Sequence, residues 1–228
     1  MSSIREDLIA TVAQSAHDFA AKELTWGRDA GDTSLLDLDS GYVYILPMPT
    51  KQLRIPTWSV ITSEDVAVVD LDGQNVGNAE VLPTVELLTH LRIYQHRADV
   101  RAIVHSHGKW TRVFAALRRS LPALMMDQYL YAGASPIRCA TLGPAGSDAT
   151  AMSAVECLGR HGKVVLLAAH GAVCLGTDMA DAMSVAEMAE DMARIAICAS
   201  ALGEPVELSL QGLIDDDTAR GVLARAAL

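Results

Sequence analysis

The 228-residue chain is half apolar and carries 28 acidic against 18 basic side chains, a formal net charge of −10. That length and composition allow one sizeable core, so a single domain over residues 1–228 is expected and disorder is not. The acidic balance, with no run of lysine or arginine, argues against a nucleic-acid partner and against an anionic membrane surface.

Cys139, Cys157, Cys174 and Cys198 lie far apart without a CxxC pair, which points to reduced thiols in a cytoplasm. Arg5, Glu6 and Asp7 interrupt any signal-peptide core, and no apolar run approaches the roughly 20 residues that span a bilayer.

In chain order, Ser3 is placed to cap a first helix running to about Leu24, with Ile4, Leu8, Val12 and Phe19 at helical spacing. From Thr25 to Ile61 the chain is rich in Gly, Asp, Pro and Thr and reads as loops, with one short strand at Tyr42 to Leu46. Val66 to Asp70 is a buried strand ending in a turn, and a helix starts near Pro83 and runs to about Gln95.

Ala102 to Val104 forms the next buried strand and leads into His105, Ser106 and His107, after which Thr111 to Arg118 resumes helical spacing. Val164 to Ala169 is a third buried strand, ending in His170 and Gly171. A long amphipathic helix follows from about Met179 to Leu202. Alternating strands and helices indicate an α/β or α+β class.

Alternate residues of an extended segment point the same way, so His105 and His107 present two imidazoles to one point. His170, like His105, directly follows an apolar strand, and Gly171 permits a tight turn beside it. Taken singly, each histidine has an ordinary role at a strand end; together they have the make-up of a metal site that keeps a position open for substrate. Glu86, in the first turn of the Pro83 helix, is favoured there by the helix dipole with or without a chemical role.

Pro83, Thr84, Val85 and Glu86, then His90, Tyr94 and Asp99, then Ala102 through His107, together resemble the class II aldolase/adducin family. The resemblance continues through Arg119-Ser120-Leu121-Pro122 and Ala169-His170-Gly171, covering about Leu8 to Leu202. It implies a three-layer α/β/α fold around a central, mixed, largely antiparallel sheet. It also implies a divalent metal on His105, His107 and His170, with Glu86 as fourth ligand or general acid/base. A homotetramer with fourfold symmetry, its sites between neighbouring subunits, is implied as well. Zinc is the default metal, with manganese, cobalt or iron as alternatives.

The chain departs from the family pattern where sugar-phosphate members hold phosphate. Gly31-Asp32 stands for Gly-Asn, Met48-Pro49 for Thr-Gly and Thr84-Val85 for two serines. An added negative charge, a lost backbone donor and a lost hydroxyl predict a substrate without a phosphate. Gly31, Asp32, Thr84 and Lys109 are the candidate substrate-binding residues, with Arg112 beside them, and the 44–61 segment with Lys51, Arg54 and Trp58 is either a rebuilt pocket or a reshaped surface loop. Met126 occupies the family's catalytic tyrosine position, leaving Asp127, Tyr129 or Tyr131 to substitute. The 215–223 tail has no tyrosine.

The expected function is a metal-dependent carbon–carbon lyase of the aldolase type, acting on a small hydroxy-carbonyl or keto-acid substrate through a metal-stabilised enediolate. The alternatives are a decarboxylase using the same site, a non-catalytic adducin-like scaffold, and an iron-dependent oxygenase.

Overall fold

A computed structural model describes residues 3–27, 29–48, 58–133, 136–144 and 146–208. The expectations on Pro49, Lys51, Arg54 and the 215–223 tail lie outside the described residues. Seven strands are described: β1 (Asp32–Leu36), β2 (Val43–Ile45), β3 (Ala67–Val69), β4 (Ala102–Ser106), β5 (Cys139–Ala140), β6 (Val164–Leu167) and β7 (Ala172–Gly176). They form one sheet in the order β3-β2-β1-β4-β7-β6-β5, in which β5 pairs parallel to β6 and every other neighbouring pair is antiparallel.

The helices are α1 (Glu6–Ala21), α2 (Leu87–His96), α3 (Thr111–Leu117), α4 (Met126–Tyr131), α5 (Asp148–Leu158) and α6 (Met179–Leu202). Strand alternation sends side chains to two cores. Tyr44, Ala102, Val104 and Leu166 join Val12, Phe19, Ala186 and Ala189 of α1 and α6. Val43, Ile45, Ile103 and Val165 join Leu91, Ile93, Ala154 and Leu158 of α2 and α5. The result is the expected three-layer arrangement. It also explains why the antiparallel strands read as continuous apolar runs, since both faces of the sheet are covered.

Four local expectations are corrected. The first helix starts at Glu6 rather than at a Ser3 cap. Its N-cap is Arg5, with no side-chain cap, and the Arg5 N–H donates instead to the Tyr44 hydroxyl of β2 at 2.9 Å. The stretch read as loops from Thr25 to Ile61 contains β1, whose polar Asp32, Thr33 and Ser34 are all buried. Long-range partners replace the missing apolar signal there, among them the Ser15 hydroxyl 2.6 Å from that of Thr33.

The Pro83 helix starts four residues later, at Leu87, with Glu86 as its N-cap residue. Pro83 bridges to Pro47, and the Thr84 N–H donates to the Leu46 carbonyl at 3.2 Å, so the sheet holds this segment extended. The strand read as ending in His170 stops at Leu167. A turn through Ala168 and Ala169 then leads into β7, which was not anticipated. Trp58, from the 44–61 segment, is fully buried in the α1/α6 core.

A buried polar chain ties β1 to α2. The Ser34 hydroxyl lies 2.7 Å from both His90 Nδ1 and the Tyr94 hydroxyl. His90 Nε2 lies 2.8 Å from Asp32 Oδ1, in a geometry too bent for a good hydrogen bond, and Asp32 Oδ2 accepts from the Thr84 hydroxyl at 2.6 Å. Burial alone pushes the Asp32 carboxyl up, but the facing His90 ring, His105 and the Thr84 hydroxyl outweigh it and hold it down to about 2.

A depressed folded-state value stabilises the fold above the unfolded aspartate value near pH 4 and ceases to do so as pH falls through about 2. Asp32→Asn is therefore expected to cost about 2 kcal/mol at pH 7. Denaturant titrations of both proteins across pH 7 to 2 should show the gap narrowing below pH 4; a gap independent of pH would contradict this assignment.

Candidate metal centre

The three histidines arrive from different parts of the chain. His105 lies inside β4, paired across the sheet with Asp32 of β1 on one side and Val173 of β7 on the other. Alternation puts it on the Ile103 face, towards α2. His107 lies just past the strand end, where its N–H donates to the Leu24 carbonyl at 2.8 Å. The Ser106 hydroxyl donates to the same carbonyl at 3.1 Å and accepts from the Gly108 N–H at 3.0 Å.

His170 sits in the β6–β7 turn. Its N–H donates to the Leu167 carbonyl at 3.0 Å, and Ala169 beside it holds a left-handed φ of 56° while its N–H donates to Ala115 of α3. That conformation is uncommon for a residue with a Cβ, and here a tertiary hydrogen bond enforces it. Gly171 completes the turn. A Cβ there would stand 2.3 Å from the Ser106 carbonyl and within 3.4 Å of the rings of both His105 and His107, so only glycine fits.

The rings form a nearly equilateral triangle, with centroid separations of 4.8, 4.9 and 4.8 Å and each pair edge to face. One nitrogen from each lies within 4.8 Å of the others. His105 Nε2 and His107 Nε2 are 3.0 Å apart. His105 Nδ1 lies 3.2 Å from the Ala172 carbonyl, which can accept only from a protonated Nδ1 and so leaves Nε2 as a bare lone pair.

Burial, the first cause, lowers both imidazoles: His105 well below its ordinary value despite the Asp32 charge, and His107 to about 4, with His170 adding to the effect. Neutral rings with converging lone pairs repel unless a cation or proton lies between them. Zinc–nitrogen bonds are about 2.0–2.1 Å, and tetrahedral ligands at that length stand about 3.4 Å apart. Glu86, 2% exposed, supplies a further clue. Its Oε2 accepts from the Thr89 hydroxyl at 3.1 Å, while Oε1 has no hydrogen-bond partner and faces His170 Nδ1 at 3.8 Å. An orphaned buried carboxylate oxygen beside a triangle of three imidazoles fits a divalent metal.

The other candidates fare differently. Gly31 has no room for a side chain: a Cβ would meet the His105 carbonyl at 2.4 Å and the Phe19 ring at 2.7 Å, so its role is close strand approach. Asp32 and Thr84 are buried beside the site: Thr84 Oγ1 donates to Asp32 Oδ2 and accepts from the Glu86 N–H at 3.3 Å, while Asp32 Oδ1 has no hydrogen-bond partner among the described residues.

Lys109 pairs with the exposed Glu23 at 2.5 Å and is itself 63% exposed. Arg112 lies over the Trp26 ring at 5.4 Å. Asp127 and Tyr131 on α4 are exposed, and Tyr129 donates to the Leu208 carbonyl at 2.7 Å; among the described residues no hydrogen bond or ion pair links these three to the triad. The Leu24 and Ala172 carbonyls were not foreseen, because a backbone acceptor leaves no mark in the sequence.

A family model described as Class II Aldolase and Adducin N-terminal domain matches residues 10–197. The 5-deoxy-D-ribulose 1-phosphate aldolase of Bacillus thuringiensis serovar kurstaki is 33% identical over 176 residues, which cover 77% of this chain and 78% of that protein. An L-fuculose phosphate aldolase of Methanococcus maripaludis is 32% identical over 152 residues, 65% of this chain and 80% of that protein. The solved structure of an L-fuculose 1-phosphate aldolase, 28% identical, aligns over 99% of this chain and 98% of its own with a TM-score of 0.83.

These relatives are named for phosphorylated sugars, so the expectation of a substrate without phosphate is not borne out. The Asp32 carboxylate is buried, with Oδ2 accepting from the Thr84 hydroxyl and Oδ1 2.8 Å from His90 Nε2. Fold, site composition and relatives agree: the chain belongs to the class II aldolase and adducin family.

Proposed function

We propose that the chain is a metal-dependent aldolase that holds one divalent ion on His105, His107 and His170 and cleaves a carbon–carbon bond next to a carbonyl in a small hydroxy-carbonyl substrate. The observation that carries this reading is the triangle of imidazoles with the unpartnered Glu86 Oε1 beside it. Three imidazoles and a carboxylate suit zinc first, with manganese, cobalt or iron as alternatives.

When bound, the dication supplies Lewis acidity to the carbonyl oxygen, drawing off the charge that develops as the bond breaks. The chain's own residues do the rest. Glu86 Oε1 takes the proton of the hydroxyl whose carbon becomes the aldehyde as the carbon–carbon bond breaks, and returns it to the carbon next to the carbonyl once the aldehyde has left. Thr89 and Thr84 hold that carboxylate and its backbone in place. His105, buried, closes the inner wall against water, while His107 and His170 face the partly open side.

A homotetramer is the assembly we propose, supported by the outward Met126, Leu130 and Tyr131 of α4. In it, Asp127 and Tyr131 would serve a neighbouring copy's site. Substrate screening starts from the sugar phosphates for which the relatives are named.

Metal analysis of untagged protein should find about one metal per chain, and none in His105→Ala. Wild-type protein that is empty and refuses zinc, manganese, cobalt and iron would leave the scaffold reading instead. Glu86→Gln should retain metal yet slow cleavage of L-fuculose 1-phosphate or 5-deoxyribulose 1-phosphate about 10²–10⁴-fold, whichever the wild type accepts; unchanged turnover would remove Glu86 from the proton transfer. Gly171→Ala should lose metal through its clash with Ser106 and the two rings, and full occupancy in that variant would show the turn to be adaptable.

A further inference from the structure

Of the three histidines, His107 is the one that neither a strand ladder nor a hairpin turn holds, since β4 ends at Ser106. The Leu24 carbonyl fastens its backbone from one side. Gly108, the next residue, lies against Glu190 of α6. Glu190 Oε1 accepts from the Thr111 N–H at 2.8 Å and the Thr111 hydroxyl at 2.5 Å, and its Oε2 accepts from the Trp110 N–H at 2.8 Å.

One carboxylate on α6 thus serves three donors at the start of α3, where Trp110 as N-cap provides no side-chain cap of its own. The carboxylate also packs directly on Gly108. A Cβ there would lie 2.3 Å from Glu190 Cδ and 2.5 Å from Oε1, so residue 108 must be glycine for the carboxylate to reach its donors. His107 and Gly108 are thereby clamped between Leu24 and Glu190.

Resting on the metal-site reading above, we infer that Glu190 is a positioning residue for the metal: it fixes the His107–Gly108 corner and so aims the His107 ring at the point where the three nitrogens converge. Ionised oxygens accepting from backbone N–H groups make strong, directional bonds, and groups that orient a ligand from behind typically contribute 10–100-fold in metal affinity. An amide cannot substitute, because its NH2 group would meet a donor at one of the two positions.

The test is zinc affinity measured by chelator competition, together with the visible spectrum of the cobalt-loaded protein, on wild type, Glu190→Gln and Asp178→Asn. Asp178 is the matching control: it caps α6 by accepting from the Asp181 N–H at 2.8 Å, on the same helix but away from the corner. Glu190→Gln should weaken zinc binding about 10–100-fold and alter the cobalt spectrum, while Asp178→Asn changes neither.

Glu190→Gln binding zinc as tightly as wild type overturns the inference and leaves the metal-site reading standing. Equal weakening in both variants also overturns it, by reducing Glu190 to a general contributor to helix stability. Wild-type protein that binds no metal overturns the metal-site reading and this inference with it. Should Glu190→Gln fail to fold, Thr111→Val, which removes one of the three donors, is expected to weaken zinc binding in the same direction, and unchanged affinity there counts against the proposal.

Discussion

Three imidazole rings packed edge to face within 5 Å leave little room for positive charge among them, and the rest of the site follows from that constraint. Burial meets it by holding His105 and His107 neutral far below their ordinary titration range. These two rings are thereby already in the protonation state a divalent cation requires, so their proton release is not an added cost of binding near neutral pH.

Holding the cluster together requires backbones closer than most side chains allow. Gly31 brings β1 against the His105 carbonyl, and Gly171 brings the β6–β7 turn against Ser106 and both rings. Ala169 accepts an uncommon left-handed conformation to aim His170, supported by the Ala115 carbonyl of α3. Close strand approach and the local strain both lie at the site and are offset by the well-packed cores on either face of the sheet.

Behind the triad, the Asp32–His90 contact plays an electrostatic part that is easily misread from composition. A carboxylate beside a site for an anionic substrate is unfavourable when free. Here its oxygens face His90 and Thr84 and its residue is 2% exposed. From His90 the polar chain continues to Ser34 and Tyr94, and on the other side Thr84 links Asp32 to the segment that bears Glu86.

What the sequence determined by itself was local. Apolar runs marked β3, β4 and β6, helical spacing marked α3 and α6, and the His105-Ser106-His107 motif with His170-Gly171 marked three histidines that could hold a metal, because side-chain periodicity and ligand type are written in neighbouring residues. Only the tertiary structure decided that polar Asp32–Leu36 is a central strand, that Glu86 precedes its helix, and that His170 stands in a hairpin turn. It alone showed that the Leu24 and Ala172 carbonyls hold His107 and His105 and that the Glu190 carboxylate takes the donors at the start of α3. Those features depend on partners dozens of residues away, often on the backbone, and a backbone acceptor has no residue type by which a sequence could announce it.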